Sequence, residues 1–454
     1  MSASDAPRLA SRLVCGGCGA SPAAEDPYPF GCPNAGVGDV DHVLTRVLDA
    51  TRVDFPSGDP TDRNPFTRYR RLFHSYHRAA GRGIGDGEFV DLVAHLDEHV
   101  AAVDGRGFAA TPFGRNDALS DRIGFSASGG VWIKDDTANV AGSHKGRHLM
   151  GLLLHLEVAE RIGLADRGSR PDLAIASCGN AALAAAVVAR AGDRRLRVFV
   201  PADADPGITG RLGDLDAVVV VCPRPADVPG DPTYARLRRA VADGAIPFTC
   251  QGSANGLSIE GGETMAYEMV SDLATAGVTL DHLVVQVGGG ALATACIDAF
   301  AEAVDLGALR RSPCVHTAQT MGAHPLERAF HRVASRLPAA PRSSDIDQAV
   351  HTAATHRSAY MWPWETPPVS IATGILDDET YDWRAVVGGM LTTGGRPVVV
   401  SEERLAEAHQ LAQTAGFRVD PTGTAGLAGL LDLLADGIVG ADHRVAVLFT
   451  GVQR

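Results

Sequence analysis

The stretch that decides the fold is Val131–His148, VWIKDDTANVAGSHKGRH. It opens with a short apolar run that is typical of a buried strand. A polar turn follows and leads into HLMGLLLHLEVAERIG, in which apolar residues recur at helical spacing. A strand that leads into a helix is the repeating unit of parallel sheets. The stretch therefore predicts a strand-to-helix unit whose junction is GSHKGRH, residues 142–148.

The lysines of the 454-residue chain both lie in this stretch, at Lys134 and Lys145, and all other basic residues apart from histidine are arginines. Arginine replaces lysine on a solvated surface at little cost, but its guanidinium stays protonated and forms no imine with a carbonyl compound. A retained lysine is therefore a candidate for chemistry that needs an amine. Chance retention explains the pattern equally well, so the neighbouring residues must decide.

Short apolar runs alternate with helical patterns from Gly124 to the end of the sequence. The further strand candidates are LAIAS (173–177), LRVFV (196–200), AVVVV (217–221), HLVVQV (282–287), RPVVVS (396–401) and VAVLFTG (445–451). Upstream, residues 66–81 and 87–103 have helical spacing. The alternation predicts an α/β protein with parallel sheets covered by helices, and the number of strands suits two sheets.

Two further strand-to-helix junctions carry unusual residues: ASCGNAALA (176–184) and VGGGALATA (287–295). Ligands of open α/β sheets bind beyond the carboxyl ends of the strands, where such junctions lie. Gly179 allows a tight turn with free amides beside Asn180, and a glycine triplet brings backbone N–H groups close to a phosphate. Each feature alone is common in ordinary turns. Their combination with Lys145 predicts a functional site.

From about Gly107 to Gly451 the chain resembles the fold-type-II pyridoxal-phosphate enzymes, and most closely the threonine synthase and threonine dehydratase branch. Six segments carry the resemblance. GFAATPFGRNDALSDRIG (107–124) resembles the family's entry segment, in which a Thr-Pro follows a Gly. VWIKDDTANVAGSHKGRH resembles the family motif K-x-acidic-x-x-N-x-x-G-S-x-K, SCGNAALA the S-x-G-N loop, IEGGETMAYEM (259–269) the EG-x-x-T segment, VGGGAL the phosphate loop and VDPTGTAGLAGL (419–430) the closing E-P-small-G motif.

The resemblance implies a two-domain fold of the tryptophan synthase β type. We expect a small Cys-containing, ribbon-like segment at residues 1–45. A larger α/β domain with a helical N-terminal extension is expected at 46–138 and 250–454. A smaller α/β domain at 139–249 would carry the cofactor lysine.

The resemblance also implies the site residues. Lys145 would bind pyridoxal 5'-phosphate and act as the catalytic residue, and Asn180 would contact the pyridine hydroxyl. The substrate carboxylate would be received by Ser177, Cys178, Gly179 and Ala181, and the cofactor phosphate by Gly288, Gly289, Gly290 and Ala291. Thr422, with Thr424 in reserve, would face the pyridine nitrogen. A neutral hydroxyl there leaves that nitrogen largely unprotonated, which favours elimination or replacement over transamination.

His144 and Gly146 depart from the branch. His144 stands where dehydratases usually have Phe, as in the tryptophan synthase β-chain, and it either contacts the phosphate or packs as a neutral imidazole. Gly146 replaces an acidic residue that is common in threonine synthases. These departures leave the substrate open.

The N-terminal cysteines Cys15, Cys18 and Cys32 resemble the zinc-ribbon knuckle of many members of the branch. Ala35 stands where the fourth ligand belongs, although structural zinc normally has four protein ligands. His42 or Asp39 is a candidate to complete the set. A degenerate ribbon without metal, packed as a lid, is the favoured interpretation, so no metal ligand is assigned.

The expected function is that of a pyridoxal-phosphate-dependent lyase that acts on a small amino acid by β- or γ-elimination or replacement, as in threonine synthase. Serine/threonine ammonia-lyase activity is the alternative within the family. A cofactor-binding protein without catalysis that binds a partner is the alternative from another class. Phosphohomoserine chemistry needs cations for a second phosphate, and Arg147, His148 and Arg68 are candidates.

The composition, with 45% hydrophobic and 21% charged residues and a formal net charge of −13, is that of a globular protein that binds neither nucleic acid nor an anionic membrane surface. No apolar run is long enough to span a bilayer. Eight cysteines are few for a disulfide scaffold, and the start of the sequence lacks a signal-peptide pattern, so we expect a cytoplasmic protein. The resemblance implies a homodimer.

Overall fold

The computed structural model of the chain describes residues 9–56, 62–224 and 231–453. Its strands are β1 (Ser11–Cys15), β2 (Leu44–Leu48), β3 (Phe113–Arg115), β4 (Gly130–Asp135), β5 (Leu173–Ala176), β6 (Leu196–Pro201), β7 (Val218–Cys222), β8 (Ile246–Pro247), β9 (His282–Gln286), β10 (Cys314–Thr320), β11 (Pro397–Val400) and β12 (Arg444–Phe449). Its helices are α1 (Pro65–Arg68), α2 (His74–Gly81), α3 (Asp86–Asp104), α4 (Asp117–Arg122), α5 (Lys145–Arg161), α6 (Asn180–Ala191), α7 (Pro206–Asp214), α8 (Pro232–Ala242), α9 (Ser258–Ala276), α10 (Ala291–Asp305), α11 (Pro325–Ala334), α12 (Ser343–Ala354), α13 (Trp383–Thr393), α14 (Glu402–Thr414) and α15 (Ala425–Ala435).

The larger sheet has six strands in the order β11-β10-β9-β12-β4-β3. All neighbours are parallel except β3, which pairs antiparallel with β4 at the sheet edge. Central strands β9 and β12 are apolar along most of their length and buried, as expected where helices cover both faces of a parallel sheet. The carboxyl end of β9 leads directly into the predicted glycine triplet.

The smaller sheet has four parallel strands in the order β7-β6-β5-β8. Its strands all lie between residues 173 and 247, and the junction from β5 to α6 carries the SCGNAALA loop. The predicted α/β class with parallel sheets is confirmed. The domain boundaries at 46–138, 139–249 and 250–454 stay a prediction.

Helices α5 and α9 form the close contact beneath the site. A Cβ added to Gly151 would lie 2.9 Å from Gly261 Cα, and one added to Gly262 would overlap the His148 ring. Glycine is therefore required where the two helices cross. This explains the two glycines of the EG-x-x-T segment, which let α9 pack against the helix that begins at Lys145.

The N-terminal segment contains an antiparallel hairpin of β1 and β2, in which Ser11 pairs with Leu48 and Cys15 with Leu44. Leu13 and Leu44 are buried. The predicted ribbon-like segment is thus present as a two-stranded unit, and residues 1–8 of it lie outside the described part of the chain.

The helical extension differs from the prediction at residues 66–81, where a 3-10 turn, Arg70–Leu72, separates α1 from α2. The interruption lets the Tyr69 hydroxyl donate to the Tyr267 carbonyl oxygen at 3.1 Å, while Phe73 is buried against Phe66. Packing against α9 therefore overrides the helical periodicity of this segment. Across the described ranges, every helix is too short or too polar to cross a bilayer.

Candidate active site

Lys145 is the first residue of α5 and is half-buried. The loop before it is fixed by Asn139, whose Nδ2 donates to Asp136 Oδ2 at 3.1 Å and to the Ser143 carbonyl at 3.3 Å. Ala141 has a left-handed φ of 55°, which is uncommon for a residue with a Cβ. The sharp turn from β4 into α5 therefore includes a strained backbone conformation at Ala141.

The C-terminal strand holds the same loop from the other side. The His144 N–H donates to the Thr450 carbonyl at 3.2 Å, and Ser143 forms an antiparallel bridge with Gly451. A Cβ added to Gly451 would lie 3.1 Å from Asn180 Nδ2. Gly451 therefore lies between the loop of Lys145 and the loop of Asn180.

The other lysine has a different role. Lys134 is fully buried, and its Nζ lies 2.5 Å from Glu268 Oε2 and 2.7 Å from the Thr111 carbonyl. A buried ammonium that is paired with a carboxylate and a carbonyl has a structural role and is not available to react. Of the two lysines, Lys145 alone is left for the site.

Arg147 belongs to the same buried network. Its guanidinium lies 2.8 Å from Asp136 and 2.6 Å from Glu268, and the side chain is fully buried. Two carboxylates and the Thr264 hydroxyl, which accepts at 3.1 Å, use its donors. Arg147 therefore fixes the first turn of α5 and does not face a substrate.

His148 and Arg68 also make contacts within the fold. His148 is buried with Nδ1 2.8 Å from the Ser258 carbonyl, and burial lowers its pKa to about 4, so the imidazole is neutral. Arg68 lies over the Tyr69 ring, at 5.4 Å, in the helical extension. Of the three cations considered for a second phosphate, Arg147 and His148 are therefore engaged in the interior, and Arg68 stacks on Tyr69.

The loop that contains Ser177, Cys178, Gly179 and Ala181 joins β5 to α6 and is open to solvent in part. The Ser177 hydroxyl accepts from the Gly179 N–H at 3.4 Å, and the Cys178 side chain is exposed. Asn180 is the first residue of α6. The free amides and the positive end of the helix dipole at this N-terminus favour binding of an anion. This arrangement suits the carboxylate of an amino acid.

The Gly-rich loop lies between β9 and α10, and Gly290 has a φ of 102°. Segment 374–382 covers the loop. A Cβ on Gly288 would overlap the Asp377 carboxylate, and one on Gly289 would lie 3.0 Å from the Tyr381 ring. Only glycine fits under this cover. Ala291 follows as the first residue of α10.

The loop also passes a test as an anion site. Burial raises the pKa of Asp377, and the Gly289 N–H opposes this rise by interacting with the carboxylate, so a carboxylate stands in for the anion in this structure. The same carboxylate lies within the field of Lys145. The Lys145 amine and the amide of the Gly-rich loop thus both act on one carboxylate, which fits a site that holds an amine-reactive cofactor with a phosphate.

Thr422 and Thr424 are now distinguishable. The Thr422 hydroxyl oxygen accepts from the Gly374 N–H at 3.0 Å, which leaves its own proton to donate to an acceptor such as an unprotonated ring nitrogen. Thr424 is fully buried and its hydroxyl donates to the Pro421 carbonyl at 3.1 Å. The arrangement favours Thr422 over the reserve candidate.

His144 packs with little room for a ligand role. Its Nδ1 lies 3.4 Å from the Thr450 carbonyl and its ring meets the His148 ring at 78°. Burial, together with the charge of Lys145 and of His148, lowers the pKa of His144 well below its usual value. A neutral, packed imidazole is the arrangement in this structure, and the phosphate contact stays a prediction.

Asp377 and Cys250 also lie near Lys145, and no motif of the sequence indicated them. Cys250 Sγ lies 3.9 Å from the Lys145 carbonyl, and burial raises the pKa of its thiol to about 11. Asp377 belongs to GILDDETYDW, residues 374–383, an acidic run beside a predicted loop. This acidic run was the sequence feature that could have indicated Asp377. No local pattern connects it with the glycine triplet, which lies far away in the sequence.

A second cluster lies in the N-terminal segment. The donor atoms of Cys15, Cys18, Cys32 and His42 all lie within 4.8 Å of one another. Cys18 Sγ is 3.5 Å from Cys32 Sγ, and His42 Nδ1 is 3.7 Å from Cys15 Sγ. The structure therefore supplies a fourth donor, contrary to the expectation of an incomplete ribbon, and it is His42. The other candidate, Asp39, instead accepts from Ser358 at 2.7 Å.

The cluster has the chemistry of a zinc site. His42 Nε2 lies 3.0 Å from the Val37 carbonyl, so the ring proton on Nε2 is used there and the Nδ1 lone pair is left for a metal. Asn34 donates from its backbone N–H to Cys32 Sγ at 3.3 Å. Three sulfur donors and one imidazole form a common structural zinc set, which would supply cross-linking of the ribbon and no catalysis.

Comparison with known proteins identifies the family of the chain. The profile of the family described as pyridoxal-phosphate dependent enzyme matches residues 106–451. A threonine synthase of Methanocaldococcus jannaschii is 24% identical over 377 residues, which cover 82% of this chain and 80% of that protein.

Two solved structures share the fold. The threonine deaminase of T.th. superposes with a TM-score of 0.57 at 20% identity, and covers 80% of this chain and 98% of its own. Diaminopropionate ammonia lyase from Escherichia coli superposes with a TM-score of 0.58 at 15% identity, and covers 88% of this chain and 93% of its own. These likenesses concern the fold alone. Because the family profile spans most of the sequence, the chain belongs to the pyridoxal-phosphate dependent enzymes.

Proposed function

We propose that this chain is a lyase that removes or replaces a substituent on the side chain of a small amino acid, with Lys145 as the general base. The observation that supports the proposal is that the loops of Lys145 and Asn180 both lie beside Gly451, while Asp377 links the Gly-rich loop to the field of Lys145. Pyridoxal phosphate, when bound, supplies a carbonyl that reacts with amines and a conjugated ring that stabilises negative charge at Cα.

The residues of the chain divide the remaining work. The Gly288–Gly290 amides would hold the phosphate, and the amides at the start of α6 would hold the substrate carboxylate. Lys145 Nζ would take the Cα proton. The Thr422 hydroxyl would donate to the ring nitrogen, and a nitrogen left neutral in this way favours loss of a substituent over transamination. Rigid loops around the site maintain the alignment that the proton transfer needs.

Of the two chemistries left open by the sequence, elimination of the ammonia-lyase type has the better support. Phosphohomoserine brings a second phosphate, and a dianion in a partly buried site needs cationic partners. Arg147 and His148 are buried in other interactions, and Arg68 belongs to the helical extension. This argument concerns the substrate and leaves the cofactor chemistry unchanged.

We also propose that the protein is located in the cytoplasm and forms a homodimer. All eight cysteines are free, which suits a reducing compartment. The dimer rests on the family resemblance, and light scattering during gel filtration would test it. We also propose that Cys15, Cys18, Cys32 and His42 bind one structural zinc ion.

The test of the function is the visible absorption of the purified protein after incubation with pyridoxal phosphate. We expect a band from lysine-bound cofactor that is absent in Lys145→Ala. The product assay then compares oxo-acid formation from serine and threonine with threonine formation from phosphohomoserine. Absence of the band in the wild type would contradict the proposal. A band without turnover of any amino acid would favour a non-catalytic binding protein.

A further inference from the structure

Asp377 lies against the Gly-rich loop of the candidate active site. Its carboxylate contacts the backbone at Gly288, and it interacts with the Gly289 N–H. It also lies within the field of Lys145. A carboxylate beside the catalytic amine carries a negative charge into the space where a substrate must bind. Segment 374–382, which holds it there, is fixed by the hydrogen bond from the Asp382 N–H to the Gly289 carbonyl, 2.9 Å long.

The charges that face Asp377 are mostly negative. Lys145 favours the ionised form, while Asp378 and Asp231 oppose it. Burial is the largest influence and raises the pKa of Asp377 to about 6, so the carboxylate is mainly ionised at neutral pH. Tyr381, which packs on Gly289, is a neutral phenol beside it. Arg224 is the guanidinium that acts on the neighbouring Asp378.

Binding of a phosphate to the Gly-rich loop would increase the excess of negative charge around Asp377. When a phosphate uses the loop amides, the Gly289 N–H no longer compensates Asp377, and the phosphate adds negative charge nearby. The lysine amine is needed for proton transfer and does not serve as a permanent counter-ion. A positive charge on the substrate itself would then compensate the negative charge of the Asp377 carboxylate.

We infer that Asp377 selects a substrate whose side chain carries an amine, so that the substrate is a diamino acid and not a phosphorylated or a neutral hydroxy amino acid. This inference rests on the proposed function and names its substrate class. Asp377 acts as a specificity-determining residue through an ion pair with the side-chain ammonium. Opposite charges in a partly buried site discriminate strongly against an anionic side chain.

The smallest such substrate is 2,3-diaminopropionate, and its elimination is balanced. The Cα–H bond breaks and the proton passes to Lys145 Nζ. The Cβ–N bond breaks and its electron pair leaves with the nitrogen as ammonia. The 2-aminoacrylate that is released tautomerises and reacts with one water to give pyruvate and a second ammonia. The reaction needs no oxidant or reductant.

The test uses probes that are nearly identical in shape. Serine and 2,3-diaminopropionate differ only in the group on Cβ, hydroxyl against ammonium, and O-phosphoserine presents an anion in the same place. Each is titrated into cofactor-loaded wild type, Asp377→Asn and Asp347→Asn. The Asn at 377 removes the charge with little change of shape, and Asp347 is an exposed carboxylate on α12 that controls for net charge. Binding is read from the change of the absorption spectrum, and turnover from pyruvate.

We expect the wild type and Asp347→Asn to prefer 2,3-diaminopropionate over serine by about 100-fold in kcat/KM, and to bind O-phosphoserine least well. In Asp377→Asn the ratio of kcat/KM for 2,3-diaminopropionate to kcat/KM for serine should fall to near unity, and the ratio of the two binding affinities should fall in the same way. Cofactor affinity, measured separately by titration with pyridoxal phosphate, should be retained.

Three results would overturn the inference. The first is a wild type that turns over serine but not 2,3-diaminopropionate, which leaves the proposed function intact. The second is an equal loss of all substrates in Asp377→Asn, which would make Asp377 a proton donor. The third is a change of cofactor affinity without a change of preference, which would make it a competitor of the phosphate. A protein without the cofactor band fails the proposed function instead.

Discussion

Arg46 of the N-terminal hairpin lies 2.9 Å from Glu302 of α10. Its guanidinium also pairs with Glu263, its Nε is 3.6 Å from Glu260, and the Arg46 side chain is only 3% exposed. Three carboxylates therefore share one buried cation from the ribbon-like segment. The hairpin is joined through this cluster to the helices that flank the site.

Replacement of Arg46 by Met should destabilise the protein, because it leaves buried carboxylates without a counter-charge. We expect a loss of about 3 to 5 kcal/mol in the free energy of unfolding, measured by denaturant titration of the holoenzyme. Arg82→Met is the matched control, since Arg82 pairs with Glu25 at the surface, and its cost should stay below about 1 kcal/mol. Equal effects of the two substitutions would show that the buried cluster is not a stabilising link.

The same cluster predicts an unusual pH dependence. Burial raises the pKa of Glu260 and of Asp298 to about 7 and that of Asp382 to about 8, around a small cavity beside Arg46. Carboxyls with raised pKa bind protons more tightly in the folded state, so their contribution to stability is greatest at low pH and is lost as the pH rises through the folded pKa. We expect the Tm to fall between about pH 5 and about pH 8.5, and less steeply in Asp298→Asn. A Tm that rises with pH over this range would contradict the assignment.

Lys134 and Lys145 should separate stability from cofactor binding. Lys134→Met removes the partner of Glu268 and should cost about 3 to 5 kcal/mol while the visible band of bound cofactor survives. Lys145→Ala should lose the band with little change in stability, because its side chain is half-buried and has no ion pair among those described. Borohydride reduction followed by peptide mapping should place the cofactor on residue 145. Cofactor on residue 134 would refute the site.

Thr422→Val should lower kcat by about tenfold with a small change in KM, because it removes the hydroxyl that donates toward the ring nitrogen. Thr424→Val is the control, since the Thr424 hydroxyl donates to the Pro421 carbonyl and should affect stability alone. Steady-state kinetics of both variants on one substrate decide the matter. A larger kinetic effect at 424 would reverse the assignment.

Metal analysis tests the Cys/His cluster. The wild type should contain about one zinc per chain, and His42→Ala should lose it. Asp39→Asn should retain the metal, because Asp39 bonds Ser358 and lies outside the cluster. Chelation should lower the Tm without removing the visible cofactor band, since the donors lie in the ribbon-like segment. Metal-free wild type with an unchanged Tm would exclude a structural zinc.

The sequence by itself determined the elements and the reactive groups. The strands, the helix that follows VWIK and the alternation of the two are local patterns, set by apolar spacing within about 20 residues. Lys145, Asn180 and the Gly288–Gly290 triplet each lie at a strand-to-helix junction, and parallel sheets bring such junctions to one edge. The family, the cofactor and the α/β class followed from these local signals.

Only the tertiary structure decided which charged groups serve chemistry and which serve stability. Arg147 lies two residues from Lys145, yet a contact with Glu268, 121 residues away, commits it to the interior. Arg46 and Glu263 are 217 residues apart, and no periodicity connects them. His42 and Asp377 acquire their roles in the same way. Ion pairs and donor clusters depend on which faces pack together, and apolar spacing fixes that a face is buried but not which charge it meets.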